Sequence, residues 1–324
     1  MTQRPRILLT RRWTLEVEQH LASRYDVTFN ERDIPLSADA LRAAMREYDA
    51  LCPTVSDHID AAVLNVTNRR VQLIGNFGVG FNHIDVAAAR QLGIRVCNTP
   101  DVLTDATAEL AILLLLMATR RAGEGEREVR AGRWTGWRPT HLLGQSLGGK
   151  MLGLVGFGRI AQSMARKAHA AFGMQIAYHR RHRAAPEIEA ETGARYFAQL
   201  DELVASADVV SLHCPGGPET FHLIDAARLA RMKPHAVLVN TARGPVVDEA
   251  ALAAALAQRR IAAAGLDVYE EEPRVHPALL SLENAVLLPH LGSATEETRT
   301  AMGMRVAENL HAFFAGQPLR DPVS

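Results

Sequence analysis

The stretch Leu152-Gly-Leu-Val155-Gly156-Phe157-Gly158-Arg159-Ile160-Ala161 decides how this 324-residue chain folds. Its apolar start predicts a buried strand, its two glycines a tight turn, and the residues from Ile160 onward a helix. The first glycine permits the turn, and the second lets the backbone approach a pyrophosphate, which a helix N-terminus attracts. The pattern alone is weak, but in this strand–turn–helix context it predicts a dinucleotide-binding unit.

Strand and helix patterns alternate on both sides of this stretch, which is typical of parallel sheets covered by helices. Helices are predicted at 56–67, 160–171 and 249–259. Strands are predicted at 6–10, 49–53 and 71–75, and then at 151–156, 175–178, 209–213, 236–240, 263–268 and 285–288.

Two further helical patterns, 104–121 and 294–316, are interpreted as crossings between two domains. We therefore expect an α/β protein with two Rossmann-like, doubly wound parallel sheets. A flavodoxin-like substrate-binding domain would be discontinuous, with residues 1–98 plus 294–324. The NAD(P)-binding Rossmann domain, 99–293, would be inserted into it.

Composition excludes several classes of protein. Lys and Arg number 36, as do Asp and Glu, and this neutral balance argues against a nucleic-acid or membrane-surface partner. The longest apolar run, 110–118, is far shorter than the roughly 20 residues of a membrane span. Residues 1–10 lack the features of a signal peptide. Cys52, Cys97 and Cys214 form no metal-ligand spacing, so we expect reduced thiols, no metal and a soluble cytoplasmic protein.

The strand after the glycine turn ends in a basic run, His179-Arg180-Arg181-His182-Arg183. NAD-binding proteins place an acidic residue here for the ribose 2′-hydroxyl, but no Asp or Glu occurs in 162–186. Guanidinium groups bind a 2′-phosphate well. We therefore predict NADPH/NADP⁺ as cofactor, held mainly by Arg180 and Arg181, with NADH as the weaker alternative. A solvated basic strand end remains the other interpretation.

Three segments near the C-terminus supply a cation, a carboxylate and an imidazole at strand ends. Arg243 is suited to bind the carboxylate and carbonyl oxygen of a 2-oxo acid. His290 is the candidate general acid, and Glu272 is expected to hydrogen-bond its ring and favour the imidazolium. Asp267 can accept a hydrogen bond from a nicotinamide carboxamide. Each residue alone could be structural, but their joint occurrence after a dinucleotide turn favours catalysis.

Several blocks resemble the D-isomer-specific 2-hydroxyacid dehydrogenase family, especially its glyoxylate/hydroxypyruvate and 2-ketoaldonate reductases. They are 75–85 (GNFGVGFNHID), 97–100 (CNTP), 102–110 (VLTDATAEL) and His213-Cys-Pro215 with Thr220. The resemblance implies the roles just given to Arg243, Glu272 and His290, and substrate binding by the Val79 and Gly80 amides together with Arg243 and His290. The expected cofactor contacts are then Thr104, Gly156, Phe157, Gly158, Arg159, Ile160, His179, Arg180, Arg181, Cys214, Pro215, Thr220, Thr241, Ala242, Asp267 and Gly292.

The chain departs from the family pattern in places. Phe81-Asn82 replaces a common Tyr-Asp, and Gly216-Gly217 replaces a bulkier pair, which puts the cofactor contacts of that loop in doubt. Trp134 and Trp137 resemble a segment that crosses to a partner subunit. We expect a homodimer on this basis; the alternative is that these aromatics pack within their own subunit.

The leading hypothesis is NADPH-dependent reduction of a small 2-oxo acid, such as glyoxylate, hydroxypyruvate or 2-ketogluconate, to the (R)-2-hydroxy acid. One alternative is an NAD-linked dehydrogenase of another 2-hydroxy acid, such as phosphoglycerate. Another is a non-catalytic dinucleotide-sensing interaction protein, which fold alone does not exclude.

Overall fold

The computed structural model describes residues 4–323, so positions 1–3 and 324 of the predicted first domain lie outside the described residues. The chain divides into two compact units, Met1–Leu103 with Ser293–Ser324, and Thr104–Gly292. The first 103 residues contain β1 (Arg6–Leu9), α1 (Leu15–Ala22), β2 (Asp26–Phe29), α2 (Ala38–Glu47), β3 (Ala50–Cys52), α3 (Ala61–Leu64), β4 (Leu73–Gly75), α4 (Val86–Gln91) and β5 (Arg95–Cys97).

The second unit contains two 3-10 turns, Pro218–Thr220 and Gly244–Val246, besides its regular elements. These are α5 (Thr104–Arg120), α6 (Ala122–Arg130), β6 (Met151–Val155), α7 (Arg159–Phe172), β7 (Gln175–His179), α8 (Pro186–Thr192), β8 (Ala194–Tyr196), α9 (Leu200–Ser206), β9 (Val209–Leu212), α10 (Ala226–Arg231), β10 (Val237–Asn240), α11 (Glu249–Ala257), β11 (Ala263–Leu266), α12 (Pro277–Leu280) and β12 (Ala285–Leu287). The chain then returns to the first unit through α13 (Glu296–Phe314).

The first unit is built on a five-stranded parallel sheet of order β2-β1-β3-β4-β5. One apolar cluster packs α2, α3 and α4 on one face, and a second packs α1 and α13 on the other. Because both faces are covered, the central strands β3 and β4 are wholly buried and apolar, whereas the edge strand β2 is partly exposed. This order is that of flavodoxin-like folds.

The second unit has a seven-stranded parallel sheet of order β12-β11-β10-β9-β6-β7-β8. Helices α5 and α7 contribute to one buried cluster, and α9, α10 and α11 to the cluster on the opposite face. The chain order reverses between β6 and β9, and ligands of such sheets bind beyond the carboxyl ends of the strands at this switch point. The predicted α/β class with two doubly wound parallel sheets is confirmed.

The helix predicted at 56–67 is wrong for most of its length. Only α3 is helical there, and it begins where the Asp60 side chain accepts a hydrogen bond from the Val63 amide. The preceding residues are bent because the buried Asp57 carboxylate binds the Thr10 hydroxyl at 2.6 Å and the Thr54 amide at 2.8 Å. Such side-chain contacts to the backbone compete with a helix. Within residues 4–323, no helix is both long and apolar enough to span a bilayer.

Candidate active site

The three C-terminal segments lie at one edge of the second unit's sheet. Arg243 follows β10, Asp267 and Glu272 follow β11, and His290 follows β12. These three strands are adjacent and parallel. Carboxyl ends of adjacent parallel strands share one edge, so the fold brings together residues that are separated by up to 47 positions in the chain (290 − 243).

His290 and Glu272 form a direct pair. Nδ1 of His290 lies 2.8 Å from Oε2 of Glu272, and each side chain is 32% exposed. The other carboxylate oxygen, Oε1, accepts a hydrogen bond from the Tyr269 amide at 3.1 Å. Burial alone would raise the pKa of Glu272, but the hydrogen bond and charge of His290, with the Tyr269 amide and Arg243, lower it. The carboxylate is therefore ionised near neutral pH and leaves Nε2 of His290 as the outer ring nitrogen.

The backbone of His290 is held by Asp267. His290 has a left-handed conformation with φ 55°, which few non-glycine residues adopt. Its amide donates to the Asp267 carbonyl at 2.9 Å, and the amides of Leu291 and Gly292 donate to the two Asp267 carboxylate oxygens at 2.6 and 2.8 Å. Asp267 is 1% exposed. Asp267 thus holds the backbone of the His290 turn in place. Its predicted contact with the cofactor stays a prediction.

Burial raises the pKa of Asp267 to about 6, with a further contribution from Glu272. The Leu291 and Gly292 amides and the charge of His290 act in the opposite direction. Two carboxylates therefore flank His290, and they differ in environment: Glu272 is partly exposed and ionised, whereas Asp267 is enclosed. Divergent pKa values within one group of residues are typical of catalytic sites.

The turn that carries Arg243 touches the turn that carries Glu272. A Cβ atom added at Gly244 would lie 1.8 Å from both the carbonyl carbon and oxygen of Tyr269, so only glycine fits. The Tyr269 hydroxyl donates to the Leu288 carbonyl at 2.8 Å, which joins the β11 and β12 ends. Burial lowers the pKa of Arg243, while the charge of Glu272 opposes that effect. Sequence reasoning missed Tyr269, because a tyrosine beside an acidic turn gives no distinctive signal.

The glycine turn has the geometry expected for a dinucleotide. Gly156 has φ 86°, and a Cβ there would lie 2.8 Å from the backbone of His213 and Cys214. Gly158 precedes α7 with no side-chain cap, and a Cβ there would meet nothing within 4 Å. The turn therefore leaves room beside Gly158, at the N-terminus of α7, where a pyrophosphate binds in such folds.

The other predicted cofactor residues of the second unit differ in how far their polar atoms are already engaged. Phe157 is 2% exposed and stacks on Tyr178 at 4.1 Å, so only its backbone can reach a ligand. The Thr220 hydroxyl donates to the Pro215 carbonyl at 2.7 Å, and burial raises the pKa of the Cys214 thiol to about 11. Thr241 Oγ1 is buried and has no hydrogen-bond partner among residues 4–323, which fits a polar ligand at the end of β10. The remaining predicted positions are Thr104 at the start of α5, Arg159 and Ile160 at the start of α7, and Ala242 after β10.

The basic run after β7 is arranged less simply than its sequence indicates. Nη1 of Arg181 pairs with Oε2 of Glu219 at 2.9 Å, and both side chains are largely exposed. His179 Nδ1 lies 3.0 Å from the Phe197 carbonyl, and the Arg180 carbonyl accepts from the Tyr196 hydroxyl at 3.3 Å. Glu219 lies in the loop after β9, far from the basic run in sequence, so the local pattern around 162–186 does not reveal it.

In the first unit, the loop after β4 holds Val79 and Gly80 in a fixed shape. The buried Asn76 side chain donates to the carbonyls of Gly78 and Gly80 at 2.9 and 3.1 Å, and Asn98 donates to the Val79 carbonyl at 2.8 Å. The carbonyls of Gly78, Val79 and Gly80 thus accept hydrogen bonds from side chains. The Val79 and Gly80 amides, by contrast, donate no hydrogen bond within the described part of the chain. Sequence reasoning missed Asn76, whose role depends on the loop closing over it.

Comparison with known proteins agrees with this geometry. Residues 112–292 match the model for the D-isomer specific 2-hydroxyacid dehydrogenase, NAD binding domain. Glyoxylate reductases from Aeropyrum pernix and Thermococcus onnurineus are 46% and 44% identical over 321 and 318 residues, with 97% of this chain and 94% of each relative covered.

The chain belongs to the D-isomer specific 2-hydroxyacid dehydrogenase family. A solved member from Sinorhizobium meliloti, an NADPH-dependent glyoxylate/hydroxypyruvate reductase in complex with NADP and malonate, superposes with a TM-score of 0.88 at 37% identity, covering 99% of this chain and 97% of that one. A glyoxylate reductase from Paecilomyes thermophila gives 0.87 at 35%, covering 100% and 99%. As a member of this dehydrogenase family, the protein is an oxidoreductase with a nicotinamide dinucleotide cofactor.

Proposed function

We propose that this dehydrogenase reduces a small 2-oxo acid of the glyoxylate, hydroxypyruvate or 2-ketogluconate type to the (R)-2-hydroxy acid with NADPH; glyoxylate itself gives achiral glycolate. The observation that supports this most is the His290–Glu272 pair at 2.8 Å, which lies after the adjacent strands β12 and β11, while Arg243 follows β10, the next strand of the same sheet. The relatives named glyoxylate reductase support the same substrate class.

In this proposal the first unit is the substrate domain and the second the cofactor domain. NADPH, when bound at the Gly156–Gly158 turn, supplies the hydride. Arg243 and the Val79 and Gly80 amides bind the substrate carboxylate, and Arg243 also polarises the carbonyl. His290 donates the proton to the carbonyl oxygen from Nε2, because Nδ1 is engaged by Glu272.

The preference for NADPH rests on charge near the end of β7. Arg180 and Arg181 are cations where an NAD-binding protein would place a carboxylate, and the Sinorhizobium meliloti relative is described as NADPH-dependent. Glu219 offsets part of this advantage by pairing with Arg181.

Steady-state kinetics of the wild type with glyoxylate, hydroxypyruvate, 2-ketogluconate and pyruvate, each with NADPH and with NADH, tests both the substrate class and the cofactor. We expect kcat/KM with NADPH to exceed kcat/KM with NADH. The double replacement of Arg180 and Arg181 by Ser should reduce kcat/KM with NADPH about 10- to 100-fold and leave kcat/KM with NADH unchanged. Equal or better kcat/KM with NADH would contradict the cofactor assignment and favour an NAD-linked dehydrogenase.

Replacing His290 by Ala tests the general acid. We expect kcat to fall by about 10²- to 10⁴-fold, while His58→Ala, at a side chain that is 81% exposed, serves as the control and leaves kcat unchanged. A mild loss in His290→Ala would favour the non-catalytic sensing hypothesis.

We also propose that the protein is a homodimer. Trp134 and Trp137 are 53% and 82% exposed, and Val129 and Leu143 beside them in sequence are 60% and 65% exposed. Exposed apolar side chains concentrated in one segment are typical of protein interfaces. Analytical ultracentrifugation of the wild type and of Trp137→Ala measures the mass directly; a monomeric wild type at micromolar concentration would contradict the proposal.

A further inference from the structure

Glu249, the first residue of α11, is an acidic side chain to which the mechanism gives no role. It is 4% exposed. Within residues 4–323, no salt bridge involves its carboxylate; instead, Oε1 accepts from the Glu270 amide at 2.6 Å and Oε2 accepts from the His276 amide at 3.1 Å. A buried carboxylate needs such donors, because an unsatisfied charge is costly.

The two amides bracket the turn that carries Glu272. Glu270 and His276 lie at the two ends of this turn, so one side chain closes a seven-residue loop (270 to 276) across its base. The contact is reciprocal, because the Glu270 carboxylate accepts from the Glu249 amide at 3.3 Å. Within the loop, the Glu272 carboxylate is aimed at His290.

We propose that Glu249 is a positioning residue that holds Glu272 in place to orient His290, an inference that rests on the proposed function. Its carboxylate spans the loop ends as a two-point acceptor, and α11, whose Asp248 cap accepts from the Ala251 amide at 2.8 Å, provides the rigid base. Glu249 touches no reacting atom in this scheme and acts only through Glu272.

The variant Glu249→Gln keeps the length of the side chain but turns one acceptor into a donor that faces an N–H group. Glu249→Asp keeps the charge but is shorter by about 1.5 Å, so it cannot reach both amides. Glu271→Gln is the matched control, because this residue lies in the same loop with a side chain that is 68% exposed. We expect both Glu249 variants to lose at least tenfold in kcat for 2-oxo acid reduction, with KM changed less than about threefold. The control should stay within about twofold of wild type.

Two readouts separate positioning from a general structural role. First, the alkaline limb of the pH profile should move to lower pH in Glu249→Gln, in the same direction as in Glu272→Gln. Second, the double variant Glu249→Gln/Glu272→Gln should have a kcat within about twofold of Glu272→Gln alone, since residues that act in series are non-additive. Losses that multiply, an unshifted profile, or full kcat in Glu249→Asp would overturn the proposal.

Amide hydrogen exchange tests the same contact without activity. In wild type, the Glu270 and His276 amides should be protected, and Glu249→Gln should raise their exchange at least tenfold while Glu271→Gln does not. If wild type reduces no 2-oxo acid with either cofactor, the proposed function fails, and the exchange result still decides whether Glu249 holds the loop. If Glu249→Gln does not fold, Glu249→Asp is measured by the same exchange and kinetic arms.

Discussion

Replacing Glu272 by Gln removes the negative charge that faces His290 and keeps the shape of the side chain. His290 Nδ1 and Glu272 Oε2 are 2.8 Å apart, and both side chains are about one third exposed. Because reduction consumes a proton from His290, the carboxylate promotes the reaction by stabilising the imidazolium. The amide retains an oxygen acceptor for Nδ1–H but not the charge.

The magnitude follows from the distance. Two unit charges at 2.8 Å interact by about 1.5 kcal/mol in a water-like dielectric and about 6 kcal/mol at an effective value near 20. Partial exposure places this pair toward the lower end, at about 2 kcal/mol. That energy corresponds to about 1.5 pH units. The alkaline limb of kcat/KM for reduction should therefore move down by about 1.5 units, and activity well above the wild-type midpoint should fall about 30-fold.

The assay is the pH dependence of kcat/KM with saturating cofactor, between pH 5 and 9, in both reaction directions. For oxidation, in which His290 accepts a proton, the acidic limb should move down by the same amount. Glu271→Gln, in the same turn and largely exposed, should leave both limbs in place. An equal loss at every pH in Glu272→Gln would refute the electrostatic reasoning and leave only an orienting role.

Three further predictions concern the cofactor loop, a backbone contact and the partly buried His213. Glu219→Gln frees Arg181 and should lower KM for NADPH up to about fivefold, with KM for NADH unchanged, as steady-state assays would show. Gly244→Ala should destabilise the fold by about 3 kcal/mol or more in urea titrations, because the added Cβ would overlap the Tyr269 carbonyl; an unchanged midpoint would contradict that contact. Burial lowers the pKa of His213 from its ordinary value near 6.5 to about 4, so the unfolded chain binds the proton first and stability falls as pH drops through this window. Partial exposure limits the loss to about 2–3 kcal/mol, and His213→Gln should remove this part of the pH dependence of urea unfolding.

The sequence predicted the local elements well where apolar periodicity is strong. Helices expected at 104–121 and 160–171 are observed as α5, Thr104–Arg120, and α7, Arg159–Phe172. The helix expected at 56–67 is mostly absent because the buried Asp57 binds backbone and hydroxyl groups that a helix pattern does not reveal. Strands β2, β5 and β8 were not predicted, because each interrupts its short apolar pattern with an exposed polar residue, Asp26, Arg95 and Arg195 respectively.

In the candidate site, too, some features were predicted from the sequence and others appear only in the structure. The residue types of Arg243, Glu272 and His290, and their positions after strands, indicated an acid–base set, and the structure places Glu272 against His290. The sequence did not reveal that Asp267 anchors the His290 turn. Carboxylates in turns are usually solvated, so burial and partners are needed to assign such a role.

By itself, then, the sequence determined the α/β class, the dinucleotide turn and the chemical groups at the strand ends, because these depend on short-range patterns of apolar residues, glycines and charges. Only the tertiary structure decided which groups meet. Glu249 closes the Glu272 turn, Glu219 pairs with Arg181, and Gly244 packs on Tyr269. These contacts join residues 21 to 38 positions apart through the order of the parallel strands, and no local pattern specifies that order.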